Sequence, residues 1–481
     1  MVYEKIQLLP DLNEEVVENI YGFRLCSYLV ALEGWRRGLQ LTWYKDETDL
    51  CKLDKLNSST QGKFFSLSNG EDIHYFFRSR GDKVSNKSVR ICQNKEKTKE
   101  ILSENGVPVP KGRVISVDHE EEISNYAKGV KYPVVIKPIN GSMGKGVYTN
   151  IKNKDELINV VNNLRSEYNY TEYIIEKYYP GKEYRIYVVG DKVVGATRRV
   201  PANIVGDGVS TVNELIEMKN MERKKNPYLN PKPIKVDFEV SKCLETIGYT
   251  VHSIPQKEEV VYLREKSNLS SGGDPLDATD ELTPAIKQIA VNSLKALPSI
   301  PHAGVDIIVD PKSDKKGVVL EVNATAEIGF HLFPIKGEAR DVPGAIIDYY
   351  FPETIGKNKS IFYFNYESTI DPLKSWVTEQ VVMSCPPEGL IYGKRYIVSG
   401  KLKNVGYMTF IRRQALQKKL NGFTQKVCDG KIEVVVFSES EKIVLDFENT
   451  CLKGSKKSIV NNLEVEDINP IPPVKLGFEI R

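Results

Sequence analysis

Three clusters of residues in this chain have the types and spacing to do chemistry. The first is Lys137-Pro138-Ile139-Asn140-Gly141-Ser142-Met143-Gly144-Lys145-Gly146. The apolar run Val134-Val135-Ile136 reads as a strand that delivers Lys137 to a glycine-rich loop. Glycines let backbone N–H groups approach phosphate oxygens, and a lysine adds a point charge. The lysine precedes the glycines and no Gly-Lys-Ser/Thr follows, so this is not a P-loop. Read by itself, the segment is equally an ordinary surface loop.

The second cluster is Ile174-Ile175-Glu176-Lys177-Tyr178-Tyr179-Pro180-Gly181-Lys182-Glu183. Two carboxylates flank a Pro-Gly turn. Glu176 with the Lys177 backbone could read an adenine edge, and Glu183 could accept from ribose hydroxyls. A charged turn between strands is the plainer alternative. The third cluster joins Gly304-Val305-Asp306-Ile307-Ile308 to Val318-Val319-Leu320-Glu321-Val322-Asn323. Glu321 and Asn323 are two apart, so a strand points both to one side. Asp306 on a neighbouring strand would complete an oxygen set that suits magnesium carried by nucleotide phosphates. A metal would also compensate a carboxylate placed on an otherwise apolar strand.

These clusters need strands and turns to hold them. Between about 113 and 352, strand-like runs alternate with helical ones, which predicts α/β or α+β architecture. Upstream, Tyr28, Leu29, Leu32 and Trp35 recur at helical spacing within Leu25–Arg37. Leu39–Tyr44 reads as a strand, and Lys63–Leu67 with Ile73–Phe77 as a hairpin. A lysine-rich amphipathic helix is predicted over Asn94–Asn105, stopped by Gly106 and Pro108. Proline and glycine cluster over 353–389, and a linker is expected there. The last stretch runs β-α-β-(β)-α-β, the ferredoxin-like split βαβ order.

Composition narrows the classes. The 481 residues carry 67 Lys plus Arg against 64 Asp plus Glu, a net charge of +3. That balance argues against a chain-wide nucleic-acid scaffold. No apolar run reaches the ~18–20 residues that span a bilayer. Met1–Ile20 holds five carboxylates and lacks the pattern of a signal or transit peptide. The seven cysteines are scattered without a Cys-x-x-Cys pair, as expected of reduced thiols in the cytosol. The expected localisation is cytoplasmic, with no membrane or nucleic-acid partner.

The three clusters, in this order, resemble the ATP-grasp superfamily of carboxylate–amine ligases. Lys95, in Asn94-Lys95-Glu96-Lys97-Thr98-Lys99, matches the family's first nucleotide lysine, with Asn94 in place of the usual Asp. Lys137 matches the second. Gly141, Ser142, Met143, Gly144 and Gly146 look like the lid loop over the phosphates. Glu176, Lys177 and Glu183 match the adenine-hinge and ribose positions, and Asp306, Glu321 and Asn323 the magnesium triad. Arg198-Arg199-Val200-Pro201-Ala202-Asn203 and Arg264-Glu265-Lys266-Ser267-Asn268 are similar to the ATP-grasp domains of cyanophycin synthetase and the fused bacterial glutathione synthetases. Mur-ligase-like and glutamate–cysteine ligase parts of those relatives are not seen, so neither product is implied.

The resemblance implies ATP and Mg²⁺ (two ions, with Mn²⁺ as a substitute). It also implies a two-step reaction: a carboxylate takes the γ-phosphoryl group, then an amine displaces phosphate to leave an amide. Arg264 and Asn268 would stabilise the transferring phosphoryl group. Arg185, Arg198 and His331 would contact an amino-acid or peptide substrate, although a packed histidine is the plainer reading of His331. The expected organisation is an α/β lobe over 1–90, an ATP-grasp domain over 91–352 with its lid at about 125–185, the linker, and a domain over 390–481.

That last domain resembles acylphosphatase. In Gly400-Lys-Leu-Lys-Asn-Val-Gly-Tyr-Met408, methionine stands where active acylphosphatases place the phosphate-binding arginine. Before the Asp429-Gly430 turn, Lys426 stands where they place a water-orienting asparagine. A thioether cannot bind phosphate as a guanidinium does. The domain is therefore expected to be catalytically silent and to bind an anionic peptide, carrier or subunit. It carries 16 basic and 10 acidic residues, against 51 and 54 in the rest of the chain. Two alternatives remain at this stage: a non-catalytic ATP-binding sensor, and an acyl-phosphate hydrolase, which Met408 and Lys426 disfavour. A homo-oligomer stays open.

Overall fold

A computed structural model describes residues 8–45, 53, 61–116, 119–139, 146–167 and 172–481. Its N-terminal lobe is built around the helix Gly22–Arg36, in which every residue from Leu25 to Arg36 is buried. Such a helix must be covered on all sides. One cover is an antiparallel sheet in the order Gln380–Val382, Gln40–Tyr44, Phe64–Ser68, Ile73–Phe77, Arg80–Gly81. Another is the segment expected as a linker. Phe362, Phe364, Tyr366, Ile370 and Leu373 are all buried in the lobe's core. Tyr28 Oη donates to the Phe364 carbonyl at 3.0 Å, and Trp35 Nε1 to Ser384 at 2.7 Å. Residues 353–389 are thus a packed strap and supply an edge strand, with Val382 opposite Thr42. Pro372 lies in the short turn Asp371–Lys374, between the buried Ile370 and Leu373.

Two larger sheets follow. The first has the order Gly112–Ser116, Glu172–Lys177, Val134–Pro138, Tyr148–Ile151, all antiparallel. Helices Glu120–Val130 and Lys154–Glu167 cover it with Ile123, Leu157, Val161 and Leu164. This unit begins at Gly112, before the expected lid boundary, because Gly112–Ser116 pairs along Glu172–Lys177. The second sheet has the order Asp274–Asp277, Lys192–Val200, Lys182–Val189, His302–Val309, Gly317–Asn323. The helix Pro284–Ala296 packs on it through Ile286, Ala290 and Leu294. The Pro180-Gly181 turn joins the sheets. A Cβ on Gly181 would lie 2.2 Å from the Val309 carbonyl oxygen, so only glycine permits this approach. A smaller unit pairs Asn203–Val205 with Val260–Tyr262 and carries helices Val212–Lys225 and Phe238–Thr246 over its own core.

The C-terminal domain has the strand order Ile459–Asp467, Tyr392–Lys401, Lys431–Ser438, Asn421–Cys428, with Phe478–Ile480 added in parallel beside the last. Helices Tyr407–Gln417 and Glu441–Lys453 cover one face over Tyr396, Ile411, Val434 and Phe447. Val435 and Phe437, which alternate with Val434 and Val436, belong to the N-terminal lobe's core together with Val474. The strap strand Phe362–Tyr363 pairs in parallel with Val474–Lys475. The domain is therefore seated on the lobe by shared apolar packing. Among the described residues no helix is long and apolar enough to cross a membrane.

Candidate active site between two sheets

A cleft of about 880 Å³ lies between the two larger sheets. Lys137 and Glu176 enter it from the first sheet, Glu183, Arg198 and Arg199 from the second, and Ser267 and Asn268 from the segment after Tyr262. Lys137 and Glu176 sit on paired strands, with Glu176 opposite Val135. Glu176 is buried between two lysines. Lys137 Nζ lies 2.8 Å from one carboxylate oxygen, and Lys99 Nζ pairs with the other. Burial drives the pKa of both lysines down, with the Lys137 charge adding to the fall at Lys99 and the Lys95 charge to the fall at Lys137. The Glu176 side chain thus serves as a counter-ion rather than pointing at a base edge. The N–H groups of Lys177 and Tyr178 donate to the carbonyls of Lys111 and Pro133 at 2.9 and 3.1 Å.

Lys99 was missed in the sequence. Its signal is the spacing Lys95–Lys99, four apart on the helix Lys95–Glu104 and hence on one face. Asn94, which replaces the usual Asp, caps that helix by accepting from the Lys97 N–H at 2.9 Å. Burial lowers the pKa of Lys95, and Glu321 acts against that shift. Gly141, Ser142, Met143 and Gly144 lie outside the described residues. Gly146 holds φ +67°.

The second sheet gathers the carboxylates. Register sets Asp306 opposite both Arg185 and Glu321. Arg185 clasps Asp306 with two nitrogens, one at 2.8 Å, and lies 3.6 Å from Glu321. Arg199 bridges Asp306 and Glu183 at 2.6 Å each. Burial would raise the Asp306 pKa, but the two guanidiniums hold its carboxyl well below the usual carboxylate range. Arg185, expected at the substrate, is thereby spent on Asp306. Arg198 lines the cleft as expected, yet its neighbour Arg199 makes the ion pairs. Cross-strand register could have found it, because Lys192–Val200 pairs with Lys182–Val189 and places Arg199 beside Glu183.

Arg264 and His331 do not line the cleft. Arg264 is buried and held by Asp237 at 2.5 Å and by Glu239, at the start of the helix Phe238–Thr246. Asn268 does line the cleft, beside Lys266. His331 is packed in the core, with Nδ1 3.0 Å from Thr197 Oγ1 and its ring against Phe330. Burial pushes its pKa down to about 3, so it is a neutral packing residue.

Among the described residues no group of three His, Cys, Asp or Glu could hold a metal ion. The set here is two carboxylates and an amide. Asn323 Nδ2 donates to Glu321 Oε1 at 2.9 Å, so the amide oxygen is not used in that bond. Hard oxygen donors with few protein ligands fit magnesium, which takes its remaining ligands from phosphates and water. Asp306 joins that set only when Arg199 or Arg185 releases one of its oxygens.

A family model described as a RimK-like ATP-grasp domain matches residues 92–213, and an acylphosphatase model matches 394–480. The chain holds an ATP-grasp domain joined to an acylphosphatase-like domain. The expected fold class, with a ferredoxin-like C-terminal domain, is thus borne out. Cyanophycin synthetase from Nostoc sp. is 37% identical over 278 residues, covering 56% of this chain and 30% of that protein. The glutathione biosynthesis bifunctional protein GshAB from Clostridium perfringens is 32% identical over 363 residues, covering 72% and 46%. The crystal structure of a bifunctional glutathione synthetase from Pasteurella multocida aligns with TM-score 0.48 and 30% identity, over 62% of this chain and 41% of that one. The chain spans less than half the length of these relatives.

Proposed function

We propose that this chain is an ATP-dependent ligase. It joins an amino-acid or peptide carboxylate to an amine through an acyl phosphate and releases ADP and phosphate. The observation that most supports this reading is that Glu183, which lines one cleft with Lys137, is tied through Arg199 to Asp306 in the oxygen set with Glu321 and Asn323. Lys137 and Lys95 bind the nucleotide phosphates, and Glu183 accepts from the ribose once Arg199 yields. Asn268 orients the transferring phosphoryl group, and Arg198 binds the carboxylate substrate. Magnesium held by Asp306, Glu321 and Asn323 supplies neutralisation of charge on the phosphate oxygens. Two ions are expected, with Mn²⁺ as a substitute.

The C-terminal domain is read as a silent binding module for an anionic peptide or carrier. An active acylphosphatase joined to this ligase would hydrolyse the ligase's own intermediate. The working compartment is the cytosol, where scattered thiols stay reduced. The test is ADP release from the purified chain with Mg·ATP against a panel of amino acids and short peptides, singly and in pairs. ADP release that needs both a carboxylate and an amine, with a product heavier by their sum less water, supports ligation. Nucleotide binding with no turnover on any pair would leave a sensor.

A further inference from the structure

A second cavity, of about 420 Å³, lies where the N-terminal lobe, the strap and the C-terminal domain meet. It shares no lining residue with the nucleotide cleft. Glu15 and Glu18 line it from the lobe, Tyr363 from the strap, and Lys475, Glu479 and Arg481 from the C-terminal domain. Tyr363 pairs with Lys475 in the short parallel ladder, so both turn to one side. Both cations are already engaged. Lys475 Nζ lies 2.7 Å from Glu479, and Arg481 Nε donates to Glu479 at 2.8 Å. The Arg481 guanidinium also lies 3.9 Å over the Phe423 ring and reaches Glu15 at 3.3 Å. Glu18 is exposed, and among the described residues no cation pairs with it. Three carboxylates therefore face two cations.

The hydroxyl of Tyr363 is also unused. The residue is only 3% exposed, and among the described residues nothing hydrogen-bonds its Oη. Two tyrosines of the same core differ: Tyr28 Oη donates to the Phe364 carbonyl and Tyr366 Oη to that of Gly62. A buried hydroxyl left without a partner is costly, and native proteins seldom keep one. The charged groups that reach the Tyr363 hydroxyl include Glu15, Arg481, Glu479 and Glu18, and all four line the cavity. The hydroxyl is therefore aimed into that space. The cavity is far larger than a bare ion, and its carboxylates do not converge on a metal. Its volume is in the range that holds small organic ligands. A phenol oxygen accepts from an ammonium, and the apolar lining of Val16, Ile20 and Phe364 suits an alkyl stem.

We propose that this cavity binds a primary alkylammonium ion, with Glu18 as its counter-ion and the Tyr363 hydroxyl as an acceptor. The ion supplies the missing positive charge. It also ties the lobe to the strap and to the C-terminal domain, whose residues form the other walls. The site does not draw on the ligase reading above.

The test is calorimetric titration of the full chain with butylammonium, putrescine and Nα-acetyl-L-lysine N-methylamide, with 1-butanol as the neutral control. Butylammonium and putrescine are expected to bind at one site per chain, and the alcohol not at all. Tighter binding of the lysine amide than of either free amine would keep the site and name a partner chain's lysine as its source. Tyr363→Phe should weaken putrescine at least fivefold without lowering the Tm, because the hydroxyl it removes holds nothing in the free chain. Glu18→Gln, at an exposed position, should weaken it at least fivefold too. Equal weakening by Glu441→Gln, an exposed carboxylate that does not line the cavity, would mark diffuse attraction to acidic surface and overturn the site. It is overturned as well if no ammonium binds, if 1-butanol binds equally, or if both cavity variants bind putrescine as tightly as the parent.

Discussion

The ATP-grasp cleft and the phosphate loop of the C-terminal domain are two regions shaped for anions, and they differ in what has become of their charged side chains. In the cleft each buried acid has a cation: Glu176 has Lys99 and Lys137, and Asp306 has Arg185 and Arg199. In the C-terminal domain Met408 stands where the resemblance to acylphosphatase leads one to expect a guanidinium, and Lys426 turns to Asp429 across the hairpin. The backbone of that loop is closely held nonetheless. Gly406 precedes the helix Tyr407–Gln417 with φ +72°, and a Cβ on Gly400 would lie 2.0 Å from the Ile459 carbonyl oxygen. Packing fixes a loop, but two side chains decide whether it catalyses. A cleft built from interlocking pairs keeps a counter-ion for each buried acid when one cation is lost, so its fold outlasts its chemistry.

The contrast breaks most visibly if the cleft's pairs prove dispensable. Lys137→Ala and Glu321→Ala are each expected to cut substrate-dependent ADP release at least ~10³-fold, about 4 kcal/mol of transition-state stabilisation. Far-UV circular dichroism should show the fold intact, since Glu176 keeps Lys99 in the first variant. Unchanged turnover in both would remove the cleft from the chemistry.

The opposite manipulation probes the other region. Met408→Arg with Lys426→Asn puts the missing groups back on the closely held loop. We expect the parent chain to leave benzoyl phosphate at its uncatalysed rate and the double variant to hydrolyse it at least ~10²-fold faster, in the range that general positioning and charge contribute. Any ligation yield of the double variant should fall. Parent-level turnover in the single-domain range would show that the domain was never silent.

Much of this contrast was legible in residue order, and the exceptions share a cause. Lys137, Glu183, Glu321 and Asn323 stand out because local strands and turns aim them, and short spacings report local structure. Arg264 misled because its partners, Asp237 and Glu239, lie 27 and 25 residues away on another helix. Arg199 was passed over beside Arg198, since only cross-strand register tells which of two adjacent arginines faces Asp306. The strap over 353–389 reads as a linker because prolines are conspicuous in a sequence. Burial of Phe362, Phe364 and Tyr366 against the helix Gly22–Arg36 is a long-range fact. Isolated tertiary partners, not secondary structure, were the hidden part.

The smallest effect separates the two regions by proton uptake. His302 and His331 are both in the ATP-grasp half, and burial pushes each pKa down to about 3. The C-terminal domain contains no histidine. Unfolded, a histidine titrates near 6.5. Between about 3 and 6.5 the unfolded chain therefore binds more protons than the folded one, and stability rises with pH across that window. Acidification from pH 7 to pH 5 should cost roughly 2 kcal/mol for each of the two histidines. Differential scanning calorimetry should show a lower Tm at pH 5, with the loss falling on the transition of the ATP-grasp half. His302→Gln and His331→Asn should each remove about half of the fall. If the fall persists in full in the double variant, the acid sensitivity resides in neither buried histidine, and the cleft carboxylates, whose contribution is lost only below about pH 4, do not supply it either.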